Sequence, residues 1–191
     1  SLLRRVGRTS EARQRAGYWQ SVDPTSSLVR YESTLLGSRD DGLSAHLGAD
    51  ANRVLDVVDH YLAAGAFEDA LALLARDYPD FPAPMRENGA VPPRVSPLVA
   101  YYRGFVRERL GGDGRADFEV AKRLSTTYVF PNRASSYAVL RAALRASPDD
   151  VTARFLLGSL YLASGLTEPA AAAWQGVRRL QPAIPTLHRN L

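Results

Sequence analysis

A chain of 191 residues with 46% hydrophobic and 23% charged positions can bury one ordinary core or a short repeat array, and its composition excludes general disorder. The formal charge of +4 rests almost wholly on arginine, Lys122 being the single lysine, so an acidic partner is permitted without being demanded. With no cysteine, disulfide staples and a thiol nucleophile are excluded, and no apolar run is long enough to cross a bilayer.

The opening "SLLRRVGRTSEARQR" lacks the apolar core and cleavage site of a secretory leader, and favours a soluble, cytoplasmic module. Residues 1–24 read as half a helical hairpin, with Gly7 at its corner and Pro24 at its exit. Residues 25–50 are irregular, and "GSRDDGLSAHLGAD" has room for only one short turn of helix. Residues 51–82 predict a full hairpin: the amphipathic run "VLDVVDHYLAAG" ends at Gly65 and a second run follows it. The proline-rich stretch 83–96 cannot continue a helix and reads as an ordered excursion.

Residues 97–150 predict degenerate units. "SPLVAYYRGFVRERLGG" and "RADFEVAKRLSTTY" form a hairpin with Gly104 at a close-contact position, and "RASSYAVLRAALRASP" is a further helix of second-helix character. In "SPDDVTARFLL", Ser147 is the expected cap and Pro148 the first helical residue, with Asp149 and Asp150 near the positive end of the helix dipole. Residues 151–184 complete another hairpin around Gly165, and "PTLHRNL" at 185–191 reads as the start of one more. Both ends fall inside repeats without capping units, which predicts an excerpt of a longer protein.

The spacing G-x4-A-x11-P recurs at Gly7, Ala12 and Pro24, at Gly65, Ala70 and Pro82, and at Gly165, Ala170 and Pro182. Composition alone predicts roughly 0.1 such matches, so the chain carries an internal duplication. Tyr61 and Tyr161 each stand four positions before their glycine. In the last unit Gly158, Tyr161, Gly165, Ala170, Trp174 and Pro182 resemble the tetratricopeptide repeat, with departures at Arg154 and Val177. The unit from Ala51 resembles it through Tyr61, Gly65, Phe67, Ala70 and Leu74, with Val58 as its departure. The resemblance implies an all-α superhelix (solenoid) of stacked hairpins, irregular in the middle. The last third also resembles the repeat region of large bacterial proteins that carry a β-rich, sugar-enzyme-like domain ahead of it.

Catalytic patterns are few. Asp56 and His60 share a helix face with Asp59 adjacent, but His46 and His188 lie in unrelated units, so an ordinary surface pair is preferred over a metal site and no cofactor is expected. The carboxylates of "RDDG" and "PDD" sit at helix boundaries, where acids cap. Basic candidates are Arg4, Arg5, Arg8, Arg13 and Arg15, and Arg103 with Arg107 beside Tyr101 and Tyr102; Glu11 and Glu108 interrupt both groups and disfavour nucleic acid.

The family resemblance implies a concave groove lined by the first helix of each unit, at Asn52, Leu55, Asp59 and Leu62 and at Thr152, Phe155, Ser159 and Leu162, with Arg103 and Arg107 between. Where repeats that grip a chaperone tail present lysine and asparagine, this chain presents Leu55, Asp59, Phe155 and Ser159, so such a clamp is not expected. The expected function is a non-catalytic scaffold for a protein, a peptide or another domain of the same chain. An accessory module of a bacterial carbohydrate-active enzyme is the alternative, and a nucleic-acid-binding repeat the third. Tyr61, Tyr161, Trp19 and Trp174 are expected in the core.

Overall fold

The computed structural model describes residues 2–40, 42–79 and 89–180. Among these the chain is all-α, without a strand. The helices are α1 (Leu2–Arg5), α2 (Thr9–Val22), α3 (Ser27–Leu35), α4 (Leu43–Gly48), α5 (Ala51–Ala63), α6 (Phe67–Leu74), α7 (Pro97–Arg109), α8 (Arg115–Lys122), α9 (Ser135–Ala146), α10 (Val151–Ala163) and α11 (Thr167–Leu180). The short α4 occupies the irregular unit where one turn was expected. Pro82 and Pro182 lie outside the described residues.

Glycine sets the hairpin corners. Gly65 and Gly165 adopt φ of 65° and 74°, a region that side chains with a Cβ rarely enter. The Gly65 amide donates to the Leu62 carbonyl at 3.0 Å and the Ala66 amide to the Tyr61 carbonyl at 2.8 Å, while Gly165 and Leu166 repeat the pattern onto Leu162 and Tyr161. These two bonds satisfy carbonyls that the end of a helix would leave bare. Gly7 closes α1 onto α2 in the same way. The alanines five residues on, Ala12, Ala70 and Ala170, are all buried where the second helix meets its neighbours.

Inside the hairpins, absent side chains let helices approach. A methyl group on Gly158 would lie 2.5 Å from Trp174 Nε1, so α10 receives the indole edge-on only because that position is bare. Between α7 and α8 the contact is equally close and involves backbone as well: a methyl on Gly104 would stand 2.5 Å from a Phe118 ring carbon and 2.9 Å from the Gly114 carbonyl oxygen.

Buried tyrosines tie one hairpin to the next. Tyr61 on α5 donates to Glu32 on α3, and Tyr101 on α7 donates to both carboxylate oxygens of Asp150 at 2.9 Å. The Tyr102 hydroxyl shares hydrogen bonds with Ser135 and Ser136 of α9, each at 2.7 Å. Burial raises the pKa of all three phenols, so they remain neutral donors.

Two expectations are corrected. Helix α10 begins at Val151 and not at Pro148, because the fully buried Asp150 is the better cap: its carboxylate accepts the Ala153 amide at 2.9 Å as well as the Tyr101 hydroxyl. Ser147 instead ends α9. Trp19 is 50% exposed: it lines an open pocket between α2 and α3, beside Leu28 and Val29, that nothing fills among the described residues.

Helix α5 contacts α7 and α7 contacts α9, while α10 packs on both α9 and α8, so α9 lies between the two hairpins that match in sequence.

The close glycines predict opposite outcomes for two identical substitutions. Gly104→Ala is expected to cost about 1–3 kcal/mol or more, since backbone must part. Gly17→Ala in α2, with nothing within 4 Å of the added methyl, is expected to gain about 0.5–1 kcal/mol. Urea unfolding of both variants checks the pair.

Burial raises the Asp150 pKa despite its donors, so the folded chain holds this proton more tightly than the unfolded chain. That contribution is full below the unfolded value, near pH 4, and is lost as pH rises through the folded value. Asp150→Asn keeps a cap acceptor without the charge, and its stability relative to wild type is expected to improve from about pH 4 towards neutrality. Urea midpoints of the two proteins across that range test the sign.

Candidate functional site

On α5, positions 52, 56, 59 and 63 recur along one face by helical spacing. The segment 123–134 between α8 and α9 crosses this face, anchored by buried Val129 and Pro131. Its Arg133 reaches Asp56 Oδ1 through Nε at 3.0 Å and Nη2 at 2.5 Å, and Nη2 also donates to the Asn52 carbonyl at 3.1 Å. The Arg133 side chain is only 8% exposed and lies down against this face, while the Asp56 side chain remains 65% exposed.

Beyond the strap a groove of about 370 Å³ opens between the end of α5, the end of α7 and the start of α9. Leu62, Phe67, Phe105 and Ala138 supply apolar wall, and Asp59, Ser135 and Arg109 supply its polar groups. Ser135 donates its hydroxyl to Asp59. The Arg109 guanidinium lies over the Phe67 ring at 5.0 Å from its centre and 6.0 Å from that of Phe105. A stacked guanidinium keeps its N–H edges available while its flat faces are covered.

The structure brings Asn52, Asp59 and Leu62 to this one region and disperses the other expected groove residues. Leu55 is 1% exposed and belongs to the core, although helical spacing puts it between Asp59 and Leu62 around α5. Arg103 and Arg107 both grip Asp117, at 2.5 and 2.7 Å, and so brace α7 against α8. Thr152 donates to the Lys122 carbonyl at 3.0 Å, placing that face of α10 against the end of α8. Phe155 packs against both buried clusters, its carbonyl accepting from Ser159 Oγ at 3.1 Å and from Trp174 Nε1 at 3.2 Å. Leu162 is 46% exposed, but on α10 and away from the α5 layer.

The other basic candidates are also largely committed within the fold. Arg4 pairs with Asp69 and Glu32, and Arg8 with Glu11. Arg13 donates to the Leu36 carbonyl. Asp56, the carboxylate of the helix-spaced pair with His60, is engaged by Arg133, and His188 lies outside the described residues.

Phe105, Arg109, Ser135 and Ala138 were not singled out from the sequence. The i, i+4 spacing of Phe105 and Arg109 was the available signal, but its meaning depends on Phe67 arriving from another hairpin. A scan against known family models finds no match, and a search of curated proteins finds no significant similarity.

Removing the Arg133 fork should release the strap without dissolving the helices. Arg133→Ala is expected to speed amide exchange at residues 129–135 by at least about tenfold, as loss of a charge-assisted bond of roughly 1.5–3 kcal/mol implies. Arg133→Lys should restore little, because a single ammonium cannot span Asp56 and Asn52 together. Hydrogen exchange read by mass spectrometry decides.

Proposed function

We propose that this chain is a non-catalytic helical scaffold that holds a segment of a partner protein in the groove between α5, α7 and α9. The observation that carries this reading is the groove itself: apolar walls on three rigid helices, with a few placed polar groups to fix orientation. The groove's charged groups, Asp59 and Arg109, suit recognition: the carboxylate is engaged by Ser135, and the guanidinium offers several N–H donors. The tetratricopeptide-like hairpins support the same reading, since stacked helical repeats present extended surfaces for binding. The arginines that suggested nucleic acid from the sequence are largely spent on internal carboxylates.

A displayed library of short random peptides selected on this chain is expected to yield binders in the micromolar range. Ala138→Arg, which fills the groove from an exposed position, should weaken them by at least about tenfold with unchanged circular dichroism. A library that yields no binder, or binders indifferent to Ala138→Arg, contradicts the proposal.

A further inference from the structure

Resting on that scaffold reading, we infer that the groove selects an internal acidic segment, one aspartate or glutamate carboxylate docking on the edge of Arg109 while a neighbouring apolar side chain fills the space beside Leu62 and Ala138. Three observations lead there. Arg109 is the cation at the groove mouth, and among the described residues no carboxylate pairs with it. Its neighbours in the same layer differ: Arg133 is held by Asp56, and Arg103 and Arg107 by Asp117. The contact with Phe67 and Phe105 places the guanidinium beside the groove before binding, which lowers the ordering cost of a carboxylate contact.

The surface leading out of the groove continues the same charge. On α9, helical spacing puts Ala134, Ala138, Arg141 and Arg145 on one stripe. Arg141 lies 5.8 Å over Tyr137 and donates to the Tyr161 hydroxyl at 2.9 Å, again a ring-supported guanidinium. No carboxylate among the described residues pairs with Arg141 or Arg145. A segment with further acidic residues would thus meet positive charge along α9 after leaving Arg109.

A nucleic acid fits this place less well than an acidic peptide. The Phe67 face that could stack on a base is already covered by Arg109.

The test is fluorescence anisotropy with a labelled peptide of repeated Glu-Glu-Leu, blocked at both ends so that only side-chain carboxylates are present. Binding is expected to fall by at least about tenfold for the Gln-Gln-Leu counterpart and for Arg109→Gln. Arg109→Lys should not restore it, while Arg8→Gln, remote on α2's flank and paired with Glu11, should leave it unchanged. Equal affinity for the glutamine peptide, indifference to Arg109→Gln, or displacement by an oligothymidylate that binds more tightly overturns the inference. Library binders that are neutral and apolar, sensitive to Ala138→Arg and blind to Arg109→Gln, would overturn it while leaving the scaffold reading standing.

Discussion

A phenol taken out of water must keep its hydroxyl hydrogen-bonded, and in this chain that requirement fixes how neighbouring hairpins meet. Tyr61, Tyr101 and Tyr102 sit at the centre of the main core, and each finds its partner on a different element: Glu32 on α3, Asp150 at the head of α10, and the serine pair opening α9. Apolar contact alone would tolerate sliding of one helix along another. A phenol aimed at one carboxylate does not, so register between hairpins is set by a few polar bonds within an otherwise greasy interface. Asp150 shows the economy of this, since one carboxylate caps a helix and receives the tyrosine of the preceding unit.

Arginine divides into two populations by the company it keeps. Arg4, Arg30, Arg103, Arg107 and Arg133 face carboxylates and hold segments together. Arg109 and Arg141 lie against aromatic rings instead, where they are positioned but not neutralised. The distinction matters because net charge says nothing about which cations are spent. In a chain with a modest positive excess, Arg109 is a cation that stands beside the groove without a carboxylate partner among the described residues.

Local geometry was legible in the sequence to the extent that it is decided within one hairpin. The glycine corners, the buried alanines, the bare contact at Gly104 and the single turn at α4 follow from spacing and steric size, which act over a few residues. The start of α10 was misplaced because Asp150 owes its capping role partly to Tyr101, a residue 49 positions away in the chain. Trp19 was misassigned because aromatic size argues for burial only when something packs above it. The expected groove scattered for a related reason. Repeat positions were transferred from α5 to α10 on sequence likeness, whereas what each position meets depends on its neighbours: Thr152 meets the end of α8 and Phe155 meets Trp174 of α11.

The passage from α9 to α10 has an effect on recognition geometry. Arg141 donates to the Tyr161 hydroxyl, so the way out of the groove along α9 is bounded by the following hairpin. A ligand short enough to end at Ala138 would meet one hairpin junction, whereas a longer one would meet two, and reach would then grade its contact with the chain.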